Sequence, residues 1–481
     1  MVNTETEETL AKVNDKKALK AGVWYVIASV LLKAAVFITT PIFTRVLTKA
    51  EFGTVSNFNS WHILLVPIFT LSLDYSIGRA KLDYTNRFDD YVGSIQLLST
   101  ISSLFISIIV ILFIDPISGF IGLERYETIL LLLYQIAFTT VVFAQNVYRF
   151  TYNYKKNILI SSYSIIANII LSLILIYVFN NSRALMRMIG IATPIIALSI
   201  VYWVNYIKNK TIKINKEYWK YGFVISAPMI FHHLSLHILS QSDRVVIRSL
   251  CGEEDLALYT LVYSFGTIVS ILTTAIAQGW LPWFHDTYHA QRFSEIRNNV
   301  KPFVLFGCYV ALACVAFAPE GILLFGGKKY IEAVPCVMPV VLGVLCQFIY
   351  THYVNIELHL KKTKYVSAGT VIAAIFNVIT NLYFIPRYGY IAAAYTTLAS
   401  YFVLLAIHMI ITKVVLKVNL YDDLFMITSY FIVCLVSVGL TFIYSYTFIR
   451  YCIIVIGFTS FIFMFKQYFT FFKKFFHSRK G

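Results

Sequence analysis

The chain has 481 residues, of which 58% are hydrophobic and 13% charged, with a mean hydropathy of +0.72. A soluble domain would carry about a quarter charged residues, so this composition excludes a soluble globular protein and places the chain in a membrane. The formal net charge of +16 raises the question of a nucleic-acid partner, and the positions of the 40 Lys and Arg residues decide against it.

The first 21 residues are polar and read as a cytoplasmic N-terminal tail. No cleavable signal peptide is expected, because the first apolar run is of spanning length. Roughly fourteen apolar stretches then follow, at 22–44, 52–76, 91–114, 126–148, 158–180, 188–207, 219–242, 256–279, 300–325, 334–355, 365–385, 391–412, 423–444 and 449–466. Each is long enough to cross the ~30 Å hydrocarbon layer as a helix. The longest loop, Trp280 to Asn299, leaves no room for a soluble domain of ~50 residues. The predicted fold is all-α and polytopic, with about 14 transmembrane helices.

The cations alternate by loop. Of the 40, 28 fall in segments predicted inside, 11 in segments predicted outside, and Lys33 lies within a span. This positive-inside bias puts both termini in the cytoplasm. The basic tail, Lys473, Lys474, Arg479 and Lys480 interleaved with phenylalanines, reads as a snorkelling anchor on anionic lipid. The seven cysteines are scattered without a CxxC pair, so neither a disulfide framework nor a metal site is expected.

The most charged inside loop divides six spans from six, and the last two spans look appended. The expected organisation is an N-lobe at 22–207, a cytoplasmic loop at 208–218, a C-lobe at 219–413, and two further helices with the basic tail at 414–481. A faint repeat supports it. Lys155-Lys156, Ser161 and Ile165-Ile166-Ala167 recur as Lys361-Lys362, Ser367 and Val371-Ile372-Ala373, with an offset of 206 residues. Two similar six-helix lobes around a central cleft form an alternating-access layout.

Ionisable groups within spans cost roughly 2.5–3.5 kcal/mol to insert, so each points towards a functional cavity. Lys33 lies near the predicted midplane of the first span, and the i+4 ladder Lys33, Phe37, Pro41, Arg45 keeps Arg45 near the same side, with Pro41 expected to turn it inward. In the seventh span, Ser226, His233, His237, Gln241 and Arg244 fall within a stripe of roughly 80° that should face water or ligand. The histidines suit proton coupling or phosphate binding. Asp243 is expected either to pair with an arginine or to serve coupling; Asp74 and His408 are further coupling candidates. Arg79, Arg149, Glu332 and Glu357 are expected at solvated span ends. No Walker loop, HExxH or GxSxG is present, so neither an ATP-driven pump nor a membrane hydrolase is expected, and no catalytic residue or cofactor is assigned beyond a proton or sodium gradient.

Several runs carry a resemblance. Residues 41–53 read Pro-Ile-Phe-Thr-Arg-Val-Leu-Thr-Lys-Ala-Glu-Phe-Gly. Ala227-Pro228 leads through Ser242-Asp243-Arg244 to Leu258–Tyr263. Gln278–Pro282, Lys329–Ala333 and Asn377–Asn381 with Ile385–Ala394 complete the set. Together they resemble bacterial polysaccharide flippases of the multidrug/oligosaccharidyl-lipid/polysaccharide exporter superfamily. The three histidines His232, His233 and His237 depart from the pattern. The resemblance implies a multi-pass transporter of the bacterial cytoplasmic membrane, not an enzyme. Its cargo would be an undecaprenyl-pyrophosphate-linked oligosaccharide, flipped outward for capsule, exopolysaccharide or O-antigen assembly, with membrane lipids and polysaccharide assembly machinery as its partners. Lys33, Arg45 and Arg244 would escort the pyrophosphate. The rivals are a cation-coupled drug or small-molecule exporter of the same superfamily, which should carry acids deep in its spans, and a membrane polymerase or ligase, which should have a large outward loop.

Overall fold

The computed structural model describes residues 37, 39–209 and 212–477, and among these no strand occurs. After a helical segment at 39–46, the helices are α1 (Lys49–Phe69), α2 (Ile77–Asp83), α3 (Phe88–Leu112), α4 (Ile114–Ile121), α5 (Arg125–Phe150), α6 (Tyr154–Val178), α7 (Arg183–Lys208) and α8 (Lys216–Cys251). They continue as α9 (Glu253–His289), α10 (Phe293–Ala316), α11 (Ala318–Gly326), α12 (Val337–His359), α13 (Thr363–Tyr388), α14 (Tyr390–Ile410), α15 (Asp423–Phe442) and α16 (Thr447–His477). Twelve spans among the described residues are long and apolar enough to cross a membrane, and a thirteenth is broken into two pieces, Lys49–Phe69 and Leu73–Asp83, bent by 55°. Most of the predicted first span, 22–44, lies outside the described residues. The chain is thus the polytopic all-α membrane protein that its composition implies.

Helix starts are written locally. Thr48 accepts a hydrogen bond from the Glu51 N–H at 3.2 Å, and the Glu51 carboxylate accepts one from the Thr48 N–H at 2.7 Å, a reciprocal cap for α1. Glu124 and Glu127 cap α5 in the same way, and Asn215 and Asp422 cap α8 and α15. Each such cap contributes about 1 kcal/mol.

By packing, the described residues up to Thr260 form one unit together with Asn377–Tyr390, and Leu261–Phe376 with Ile391 onward form the other. In the first unit, α5 and α6 pack on α7, and a core of Phe58, Leu131, Tyr134, Val141, Met188 and Ile191 fills between these helices and α1. The helix α8, which the sequence places at the head of the second lobe, groups with this first unit because it packs on α1, on the 73–76 turn and on α3. In the second unit, α10 packs on α12 and α15, and α16 lies against α10. Polar ties hold the last two helices: Lys301 Nζ donates to Asp422 Oδ2 at 2.8 Å, Tyr444 Oη to the Val315 carbonyl at 2.9 Å, and Arg450 to Glu320.

In hydrocarbon, a broken helix must find internal partners for the backbone groups it frees. Here α3 supplies them. Ser103 Oγ donates to the Phe69 carbonyl at 2.9 Å and Ser99 Oγ to the Thr70 carbonyl at 3.4 Å, from a buried serine ladder spaced one turn apart. The chain turns at Leu71 and Ser72, both with positive φ, 50° and 48°.

Candidate functional site

The polar stripe of α8 divides the helix as its spacing predicts. Ser226 is buried, and His233, His237, Gln241 and Arg244 are half-buried, while Val224 and Phe231 on the opposite side are 65% and 72% exposed. Such a face is unusual in a spanning helix, because an apolar side chain at each position would insert more favourably.

The stripe meets the broken second span. His233 Nδ1 lies 3.4 Å from Ser72 Oγ, at the residue where the chain turns, and the His233 ring sits 4.7 Å from the Tyr75 ring. Two residues after Ser72, the Asp74 carboxylate accepts a hydrogen bond from Asn146 Nδ2 of α5 at 3.0 Å. Asn146 and His233, far apart in sequence, thus both attach to the stretch Ser72–Asp74 at the break. Non-glycine residues in the left-handed region cost about 1–3 kcal/mol each, and such strain gathers at functional sites.

Further along α8, Arg244 Nη1 donates to the Ser240 carbonyl at 2.6 Å and reaches Asp243 Oδ1 at 3.5 Å; the guanidinium lies 5.8 Å from the Tyr259 ring centre. Asp243 is fully buried: its Oδ1 accepts the Arg244 N–H at 2.8 Å, and its Oδ2 accepts the Tyr259 hydroxyl proton. The arginine beside Asp243 is thus Arg244, its neighbour in sequence. One residue earlier, Ser242 Oγ donates to Asn377 Oδ1 at 2.9 Å, and Asn381 donates to the same oxygen at 3.0 Å. This stretch therefore gathers carboxylate, amide and hydroxyl oxygens that suit a hard cation as well as a structural tie.

The remaining candidates lie elsewhere. Lys33 lies outside the described residues. Arg45 is exposed, its Nη1 donating to the Pro41 carbonyl one turn back at 3.2 Å. His408 belongs to the other unit, fully buried, with Nδ1 2.8 Å from Glu357 Oε1. Glu357 departs from its predicted solvated span end, because it is turned between helices onto His408 and is 0% exposed. Arg79, Arg149 and Glu332 are exposed, as span-end residues should be. Among the described residues no group of three His, Cys, Asp or Glu side chains could hold a metal ion.

The sequence reading assigned no role to Asn146, Tyr259 and Ser72, each visible only through a partner on another helix, and set Glu357 at a solvated span end. It also passed over Arg187, which lies between α6 and α7, donates to Ser172 Oγ at 2.6 Å and to Asn168, and stacks 3.8 Å from the Phe43 ring centre. Its one legible signal was a cation at the mouth of a span.

The fold has known counterparts. The lipid II flippase MurJ in an inward closed conformation superposes with a TM-score of 0.66 at 14% identity, covering 94% of this chain and 100% of that one. An inward-facing multidrug resistance MATE family transporter of the MOP superfamily superposes at 0.57, with 14% identity, over 84% of this chain and 95% of its own. In sequence, an uncharacterized membrane protein of Methanocaldococcus jannaschii is 22% identical over 423 residues, 81% of this chain and 82% of that one. The profile of the polysaccharide biosynthesis protein family matches residues 18–288, more than half of the chain. The chain belongs to that family.

Proposed function

We propose that the protein is a flippase that carries undecaprenyl-pyrophosphate-linked oligosaccharide across the cytoplasmic membrane by alternating access between two lobes. Both termini remain in the cytoplasm. The pyrophosphate cannot cross hydrocarbon unaided, and Lys33, Arg45 and Arg244 supply charge-assisted donors for it. His233, His237 and Gln241 offer the sugar a row of hydrogen-bonding groups, and Asp74, Asp243 and His408 link the cycle to a proton or sodium gradient.

The observation that carries this reading is the half-buried polar face of α8, ending in Arg244 and meeting the second span at its break. Family membership and the transporter fold support it. The exporter rival gains from buried acids, but Asp243 and Glu357 are already bonded to a basic neighbour, Arg244 and His408, and so are poorly placed to receive a cationic cargo. A polymerase is disfavoured by the short connections between helices.

The test is flipping of a defined lipid-linked oligosaccharide in reconstituted vesicles, with and without a proton or sodium gradient. The wild-type protein moves it; Lys33→Ala inserts normally and does not. Wild-type flipping by Lys33→Ala rejects the cationic passage, and no flipping of any lipid-linked glycan by the wild type rejects the function.

A further inference from the structure

The second unit buries an ionisable pair within its own spans. Glu357, near the end of α12, and His408, near the end of α14, are each 0% exposed and meet at 2.8 Å between Oε1 and Nδ1. The outer atoms of the pair, Glu357 Oε2 and His408 Nε2, are buried with no hydrogen-bond partner among the described residues. The surroundings are closely built: Tyr350 of α12 stacks on the His408 ring at 5.8 Å, and α13 approaches Nε2 through Gly369, where a Cβ would sit 2.9 Å from that nitrogen. Of the charged groups just beyond, Lys413 and Asp423 are bonded to each other at 3.1 Å, and Asp423 also accepts the Tyr353 hydroxyl at 2.9 Å. Tyr350 faces the pair from α12, and α13 presents a glycine there.

We infer that Glu357 and His408 together form a proton-binding site, with the proton shared between the carboxylate and the imidazole. With one proton bound, the pair is neutral overall, whether written as carboxylate and imidazolium or as carboxylic acid and imidazole. Releasing that proton leaves a net negative charge between helices, and adding a second leaves a net positive one; either state is costly in a buried, low-dielectric place. Proton exchange with water therefore requires α12 and α14 to part, and the loaded state holds them together. A movement that opens this seam alternately to the two sides would couple proton passage to transport. The coupling rests on the proposed transport function; the proton site does not.

The test needs no cargo. Infrared difference spectra between pH values, recorded on the purified protein in lipid nanodiscs, should show a carboxyl or carboxylate band that Glu357→Gln removes. His408→Gln should shift that band in frequency, since the carboxyl group loses the imidazole it is bonded to. Should Glu357→Gln fail to fold, the band position in His408→Gln decides. Identical spectra for wild type and Glu357→Gln, or an unmoved band in His408→Gln, overturn the proposal. In vesicles, Glu357→Gln should lose the acceleration that a pH gradient gives to oligosaccharide flipping. A Glu357 band in a protein that flips no lipid-linked glycan would sink the cargo reading and leave the proton site standing.

Discussion

Gly190 on α7 should not tolerate even a methyl group. A Cβ built there lies 2.1 Å from Ser172 Oγ, 2.6 Å from Ser172 Cα and 2.8 Å from Ser172 Cβ of α6, where ordinary contact begins at 3.4 Å. The hydroxyl can rotate away, but the Cα belongs to the neighbouring backbone, so Gly190→Ala must push α6 and α7 apart by roughly the shortfall in that contact. Small residues let helices approach in a bilayer, where packing and interhelical hydrogen bonds drive association. Overpacking of this kind costs about 1–3 kcal/mol. The same displacement pulls Ser172 and Asn168 away from Arg187, adding the loss of charge-assisted bonds made across the two helices. The assay is thermal unfolding of the purified protein in detergent. Gly190→Ala should melt clearly below the wild type, and Ser172→Gly in the same chain should recover part of the loss by removing Oγ and Cβ, two of the three crowded atoms. A Gly190→Ala protein that melts with the wild type would refute the close approach of α6 and α7.

Three further outcomes are expected. Arg244→Ala should weaken the apparent affinity for lipid-linked oligosaccharide in vesicles by about 10–100-fold, the equivalent of about 1.5–3 kcal/mol for a hydrogen bond to a charged group, with Arg244→Lys intermediate; unchanged affinity removes Arg244 from the binding set. Asp74→Asn keeps a partner for the Asn146 amide while removing the titrating group, so it should abolish the gradient dependence of flipping and leave gradient-free exchange; retained gradient dependence rules Asp74 out of coupling. Outside the spans, the Lys301 ammonium and then the Phe425 N–H hold the Asp422 carboxyl below the usual carboxylate range. Its contribution to stability is therefore present above the unfolded-state value of about 4 and lost as pH falls through the lower folded-state value. Lys301→Met should flatten that part of the acid limb in melting curves taken at decreasing pH, and an unaltered acid limb would show that the contact does not matter.

Most spans were legible because each must be long and apolar to cross hydrocarbon, a constraint local to about twenty residues, but α9 runs on to His289, ten residues past its predicted end and into the segment read as the longest loop. The break in the second span was not, because nothing between Phe69 and Leu73 is a glycine or proline; Leu71 and Ser72 are held in the left-handed region by tertiary contacts with α3 and α8. The polar stripe of α8 was legible from periodicity alone, since a one-sided polar pattern needs only the 100° helical step. Its partners were not, because Ser72 and Tyr259 are ordinary residues that acquire a role only when another helix brings them to His233 or Asp243.

Glu357 shows where the physical limit lies. At the end of a hydrophobic run, a glutamate has two favourable outcomes, facing headgroup water or finding a basic partner inside, and the run itself is the same in both. The choice was made by His408, 51 residues later, together with Gly369, whose missing side chain leaves room for the imidazole beside α13. A substitution at Gly369 should therefore displace His408 and send Glu357 towards solvent without touching either residue. Gly369→Leu should lower the melting temperature and shift the Glu357 carboxyl band together, whereas loss of stability with the band unmoved would show that the glycine serves packing alone.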